Sequence, residues 1–509
     1  MARADQKFKE DMVNPATTSM AYDYMAPKWD MINTLLGGTA AMRSAGATYL
    51  PPHPHESDKN YQERLHTTTL LNMFELTLES LVSKPFSDKV VVKNLPDKME
   101  PLIEDIDLNG NELHVFCRRW FREGLAKSFA HVLIDMPTLD AAAGQIRTLE
   151  DDKNQKVRPY WNLISPENVI FMYESMIDGY PQLEHVRIRE SVVKRVGFTE
   201  VMVERIRILE RGSWKVMQLV KDEKTNKEVW RVVEQGDTGI TFIPLVTFYA
   251  NIEGTMIGKP PLEDLGYLNV SHWQSMSDQR NILTVARFPM LAVSGARSDG
   301  GGNDIMVIGP RQLLATQAEN GKFYYVEHDG KAIEAGAKDL DKLEQDMAAY
   351  GAEFLRKKPG AQTATARALD SAEATSTLQD VSLRFEDAVE MALWVTGQWM
   401  SEELLDIEVE VVTDFGPEEV KDVDMRTLAE ARRNRDISLK TYTDELKRRG
   451  ALSDEFDFDE NLEELQTEPT INSPFATGFN TDGSASSNVD NSIKKPAKKE
   501  EKLDDAKGT

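Results

Sequence analysis

Few residues of this chain stand in patterns that do chemistry, and each such pattern lacks a necessary member. GTMIGKP, residues 254–260, gathers glycines and a lysine as a phosphate-cradling loop does. It has one residue too few between its glycines, and Pro260 stands where a Ser or Thr hydroxyl must reach magnesium. A hinge is the better reading. DGGG at 299–302 has no following Lys-Ser or Lys-Thr and reads as a loop. His53 and His55, two apart in PHPHES (52–57), are too few for a metal site when no CxxC or HExxH accompanies them; a turn ahead of a helix accounts for them. DFDENLEELQTE (457–468) puts Asp457, Asp459, Asn461 and Glu468 at calcium-loop positions, but Leu462 takes the sixth, where the sharp turn needs Gly. A solvated acidic segment explains it. No Ser sits in a G-x-S-x-G elbow, and the lone Cys117 falls in an apolar helical run beside Phe116. Acid–base pairs can come from distant segments, yet the sequence leads to no expected catalytic residue, metal site or cofactor.

The totals narrow the class further. The 509 residues suffice for several compact units, and a hydrophobic content of 40% lets most of them bury cores. A net charge of −25 argues against a groove that grips nucleic acid by charge, though not against a surface that DNA slides past. A single cysteine rules out an internal disulfide and fits a reducing compartment. The polar opening MARADQKFKEDM shows no secretory signal. The longest apolar stretch, around FIPLVTFYA (242–250), falls far short of the roughly 18 residues of a membrane span. A soluble, intracellular, acidic protein of several parts is expected.

The elements that would carry any site follow from periodicity. Residues 60–84 place Leu65, Leu70, Phe74, Leu78, Leu81 and Val82 at helical spacing, and a second helix over roughly 98–127 carries Leu113, Phe116, Trp120, Phe121 and Leu125. VVVK between them reads as a short strand, and SFAHVLIDMP (128–137) as a buried one. From 158 to 250 the period is two, with turns at RGS and DEKTNK, which describes an antiparallel meander. A Gly/Pro hinge, GTMIGKPPLEDL, then enters a helix over 265–289 that Pro289 ends. Short strands IMVIG and FYYVEH make a small module over 288–337. Helix returns at 339 with Leu340, Leu343, Met347, Tyr350 and Phe354, breaks at RKKPGAQTATA (356–366), and resumes over 367–402 on a seam from Leu378 to Trp399. DIEVEVV (406–412) reads as a strand. Two helices follow, the second capped by Ser438 and stopped by Gly450. After about 467 the composition is that of a disordered tail.

The helix over 265–289 is unusual. From Asn269 to Asn281 only Val270, Trp273 and Met276 interrupt a run of Asn, Ser, His, Gln, Asp and Arg. A helix polar on every side bridges through solvent or packs on polar neighbours.

Five stretches taken together resemble the portal proteins of tailed bacteriophages: YLPPHPHESDKNYQERL (49–65), PLEDLGYLNVSHWQSMSDQRNIL (261–283), VIGPRQLL (307–314), KPGAQTATARALDSAEATSTL (358–378) and DELKRRGALSDEFD (444–457). The resemblance runs from about residue 15 to 465 and is nearest to a branch of otherwise uncharacterised phage proteins. Ala366 departs from it, where an acidic residue is expected after TAT. The resemblance implies an α+β portal fold: a wing of N-terminal helices and meander over 1–250, a first stem helix over 251–287, and an α/β clip over 288–337. A second stem helix (338–356), a tunnel loop (357–366), a supporting helix and strand (367–416), a crown (417–466) and a tail (467–509) complete it. It implies a homo-oligomeric ring, usually of twelve subunits, at one capsid vertex of the virion, assembled in the host cytoplasm. Its implied partners are double-stranded DNA read without sequence specificity, the large terminase packaging motor, the major capsid or scaffold protein, and head-completion or tail adaptor proteins, with no membrane. On that reading the stem's polar residues, Asn269, Ser271, His272, Gln274, Ser275, Ser277 and Gln279, bond around the ring or face solvent, while Trp273 and Met276 anchor it.

The site residues expected from this are few. Asp339, Asp346 and Glu353 are seven apart and share one helical face, drifting about 20° per heptad; with Gln274 and Asp278 they are candidates to line a DNA channel. Lys357, Lys358, Pro359, Gly360, Thr363 and Thr365 are the tunnel-loop candidates for meeting phosphates. Two other classes stay open: a metal-dependent hydrolase or nuclease using the acidic residues of 402–465, and another minor capsid or scaffold protein.

Overall fold

The structure, a computed structural model, describes residues 14–137, 157–221, 226–287, 290–294, 322–326, 330–353, 377–402, 404, 406–413, 415, 427–448, 452 and 458. It is a mixture of helices and largely antiparallel sheets, of the α+β class. Two units divide the chain, residues 1–415 and 416–509.

The first unit opens with helices α1 (Met20–Leu36), α2 (Gly38–Ala45), α3 (Asp58–Thr67) and α4 (Met73–Ser83). The single helical run expected over 60–84 is thus two helices. Thr68 is extended, its hydroxyl turned back onto the Arg64 carbonyl at 2.7 Å, and Asn72 caps α4 by accepting from Glu75 N–H at 3.1 Å. Side chains that compete for backbone groups end one helix and start the next. Strand β1 (Val91–Lys93) precedes α5 (Glu100–Ile103) and α6 (Leu113–Lys127). Here too the expected helix over 98–127 is broken. Asp107 collects the N–H groups of Asn109 and Asn111 at 3.0 and 3.4 Å, and Leu108 and Gly110 take positive φ.

Strand β2 (Phe129–Asp135) is buried from Phe129 to Ile134. β3 (Tyr160–Ile164) is followed by β4 (Val169–Ile177), β5 (Tyr180–Val196), β6 (Thr199–Glu210), β7 (Ser213–Lys221), β8 (Glu228–Asp237) and β9 (Leu245–Tyr249). β4 to β8 form a five-stranded antiparallel meander in chain order, as their alternation predicts. The expected meander does not include the whole of 158–250, however. β3 and β9 leave it and flank β2 in a three-stranded sheet, order β3–β2–β9. A strand with so much of its length buried must pair its backbone on both sides.

Next come α7 (Glu263–Ala286), the antiparallel strands β10 (Met290–Ser294) and β11 (Lys322–Val326), and α8 (Lys331–Glu353). IMVIG lies outside the described residues. α8 begins eight residues before the expected 339. Its first turns, KAIEAGAK, are good helix formers apart from Gly336 but hold one large apolar residue, so the seam is silent there. Last in the unit are α9 (Thr377–Met400) and β12 (Glu408–Glu410), which pairs with β1. Phe385 of α9 closes the aromatic core, with ring centroids 4.9 Å from Phe248, 5.2 Å from Phe121 and 5.4 Å from Trp120. Glu386 and Glu390, one turn apart on α9, accept the Val411 and Val409 N–H groups, both at 2.9 Å, and so fix β12 to the helix.

In the second unit residues 427–433 are helical and α10 (Leu439–Arg448) follows. Ser438 caps it as expected, accepting from Thr441 N–H at 3.0 Å. Gly450, the acidic segment 457–468 apart from Phe458, and the tail lie outside the described residues, as does all of 354–376.

Candidate functional site

The polar helix α7 is the centre of the first unit. Asn269, His272, Ser277 and Gln279 are all buried, as is Trp273 between them. Their partners belong to the same chain. Asn269 Oδ1 accepts from Phe74 N–H at 2.9 Å and its Nδ2 donates to the Leu71 carbonyl at 2.8 Å. With Asn72 satisfying the next N–H, α4 is capped by two side chains, one of them nearly two hundred residues distant in sequence. The expectation that these groups bond around a ring is therefore corrected for Asn269, Ser277 and Gln279, which find partners inside one subunit; His272 does so at Nε2 alone, and its buried Nδ1 has no partner among the described residues.

α8 runs antiparallel along α7. Gln279 Nε2 donates to the Ile333 carbonyl at 2.9 Å, Ser275 Oγ to Asp339 Oδ2 at 3.1 Å, and His272 Nε2 lies 3.4 Å from Glu344 Oε1. Tyr350 donates to the Pro261 carbonyl at 3.3 Å, where α7 begins. Gly336 lets the helices close up, since a Cβ there runs into the Gln279 amide; Gly351 does the same against Thr77 of α4. At 100° per residue His272, Ser275 and Gln279 fall within about 60° of one another, so one edge of α7 serves α8.

The largely opposite edge serves residues 49–66. Arg64 is the hub, its side chain 2% exposed against 7% for Glu56. It forks onto Glu56 through Nε and Nη2 at 3.0 and 2.9 Å, donates to the Pro51 carbonyl at 2.9 Å, and reaches Ser277 Oγ at 3.2 Å and Asp278 Oδ1 at 3.4 Å. His53 Nε2 lies 3.0 Å from the same Asp278 oxygen. PHPHES is thus a turn built around a buried guanidinium, and Ser57 caps α3 after it. The Arg64 hydrogen bonds hold the Glu56 carboxyl below its ordinary range, against burial, which works the other way.

The residues expected to line a channel divide accordingly. Gln274 donates to the Tyr49 carbonyl at 2.9 Å, and Asp278 is tied to Arg64 and His53. Asp339 and Asp346 are exposed on α8, with Lys342 between them on the same side of the helix. Glu353 is the last residue of α8. The structure brings Asp339 to Ser275 but leaves Gln274 and Asp278 on the other edge of α7. Lys357, Lys358, Pro359, Gly360, Thr363 and Thr365 lie outside the described residues. Among the described residues no cluster of three or more His, Cys, Asp or Glu could hold a metal, and no helix is long and apolar enough to cross a membrane.

Residues 261–400 match a family described as a domain of unknown function, DUF4055. The match opens at the foot of α7 and closes on Met400, the last residue of α9. No curated protein matches the chain. Among solved structures it is similar to chains from structures of gene transfer agent (GTA) particles. One is from the neck of an empty GTA particle computed with C6 symmetry, at 10% identity and a TM-score of 0.38, covering 78% of this chain and 90% of that one. Another is from the virion of a native gene transfer agent particle, at 11% and 0.36, with the same coverage. The third is from the neck of a native GTA particle computed with C12 symmetry, at 10% and 0.35, covering 85% and 100%. Identities and scores at this level carry no functional weight.

Sequence reasoning missed Arg64, Glu56 and the double cap by Asn269. A signal was present. The polar run of α7 is made of Asn, Ser, His and Gln rather than Lys and Glu, and long charged side chains are the ones that avoid burial.

Proposed function

We propose that this chain is a phage portal protein, a ring-forming subunit through which double-stranded DNA is packaged and ejected, and which docks the terminase and tail connectors. The observation that carries the reading is the antiparallel pair α7–α8, with the strand pair β10–β11 on the connection between them. That is the arrangement expected of paired stem helices joined through a clip, and its first helix falls on PLEDLGYLNVSHWQSMSDQRNIL, one of the stretches that carry the resemblance. The wing helices and meander precede it and α9 follows it, in the order the resemblance implies. On this reading the ring has about twelve copies by analogy with the family, and the exposed carboxylates of Asp339 and Asp346 face the duplex. The tunnel loop with Lys357 and Lys358 meets its phosphates. The protein has no chemistry of its own, and a separate ATPase supplies the work.

Negative-stain images and native mass of the purified full chain test this. Rings with a central hole are expected. A compact monomer, above all one that cleaves DNA when given divalent metal, would overturn the reading in favour of a nuclease.

A further inference from the structure

β9 is an edge strand: β2 pairs with one side of it, and no strand among the described residues pairs with the other. The ladder fixes which backbone groups point outward. Ile134 N–H donates to the Pro244 carbonyl and Ala250 N–H to the Ser128 carbonyl, at 3.0 and 2.8 Å. Residues that exchange bonds alternate along an antiparallel pair. Val246 and Phe248 therefore face β2, while Thr247 and Tyr249 turn their N–H and C=O groups away from it. Beside that edge lies a groove of about 480 Å³, roofed by Asp387, Met391 and Trp394 of α9. Met391 is 52% exposed and Trp394 40%. An open strand edge next to large exposed apolar side chains is a template for another strand.

The same chain carries a strand pair with open edges. β4 pairs with β5 only from Tyr180 to Ile188, and β7 pairs with β6 only from Arg205 to Glu210. β5 and β6 continue together to Val196 and Thr199. Over 190–204 the hairpin is therefore a two-stranded ribbon, a form only marginally stable alone in water. Val193 and Met202 are exposed on it, and Phe198 at its tip is fully so.

We propose that the 190–204 hairpin of one copy adds as a strand to the β9 edge of a second copy, beneath α9. The inference rests on the ring reading and names the contact that would build the ring. Donor and acceptor are different parts of one chain, so each copy gives its hairpin and receives another's. Head-to-tail contacts of this kind close into a ring where the rotation between copies permits and otherwise run on as a filament. The charges match as well. Arg195 and Glu200 stand opposite each other across the hairpin, on the face that carries Val193 and Met202, and at the groove stand Asp387 and Arg384, the latter also paired to Asp380 at 2.9 Å. An added strand sets Arg195 by Asp387, Glu200 by Arg384, and Met202 against Met391.

Two chains, each with one added cysteine, decide it. Cys117 is buried and silent, so a full-length Met202→Cys chain mixed with a Met391→Cys chain that carries a mass tag resolves the proposed 202–391 pair from either homodimer by size. A short bis-maleimide should join the two into a heterodimer band, and a Leu76→Cys chain, exposed elsewhere, should give at least tenfold less. Phe198→Asp should weaken assembly at least tenfold without changing the thermal unfolding of the subunit. Rings that form normally with Phe198→Asp, or cross-linking no better than the Leu76 control, overturn the contact. A cross-linked pair from a chain that never forms rings upholds the contact and overturns the ring reading instead.

Discussion

Arg64 concentrates more of the fold's specificity than any catalytic motif the sequence offered. It satisfies five acceptor contacts from three places, the 49–56 turn, Ser277 and Asp278. Removing one partner of a buried pair strands the other in a medium that cannot solvate it. Arg64→Ala is therefore expected to cost about 3–5 kcal/mol, read as a lower urea midpoint. Arg64→Lys should recover less than half of that, because an ammonium cannot fork onto Glu56. The pair also sets an acid limit. The Glu56 carboxyl is held below its ordinary 4.5 in the fold, so its contribution is complete above that value and is lost as pH falls through the depressed one. Wild type should lose stability more steeply than Glu56→Gln below about pH 4.5. Equal acid slopes for the two proteins would show that the bridge does not govern this limit.

At the scale of elements, the sequence was most legible where one apolar face repeats. α4, α6, α8 and α9 were visible in that way, and so were the alternating strands of the five-stranded meander. Helix breaks were not, since apolar residues recur from Leu65 to Val82 with no Gly or Pro between them to mark the extended residue Thr68. What stopped α3 was a hydroxyl and what started α4 was a pair of asparagines, one of them Asn269, which local spacing cannot connect to Phe74. The partition of strands between sheets was hidden for a similar reason, because pairing is settled by burial across the whole unit. Glu386 and Glu390 show the same long-range bookkeeping from α9. Burial raises the Glu386 carboxyl, yet the side chain is kept because it receives Val411 N–H. Replacing both glutamates by Ala should speed hydrogen exchange at Val409 and Val411 by at least tenfold. Replacing both by Gln, which still offers a carbonyl oxygen, should change it little. Equal exchange in the Ala and Gln proteins would mean that β12 is held by its apolar contacts and not by these bonds.

At the scale of the whole molecule, the net charge of −25 would suit the proposed DNA channel. Duplex DNA presents about one charge per 1.7 Å, and salt at physiological strength screens only beyond roughly 8 Å. Repeated around a ring, the exposed Asp346 would repel the passing duplex and leave it nowhere to stick. Asp346→Lys should slow packaging at low salt, with the deficit shrinking as salt rises. Normal packaging at low salt by well-formed Asp346→Lys rings would take this residue off the channel wall. The polar bonds of α7 carry a different consequence. Those of Asn269, Gln274, Ser277 and Asp278 all reach back to residues 49–74, before the 261–400 stretch that matches DUF4055. A fragment cut at 261 would carry these side chains away from their partners. The stretch recognised as a unit of sequence is thus not a unit of folding, and the helix at its head is completed by a part of the protein that the family definition leaves out.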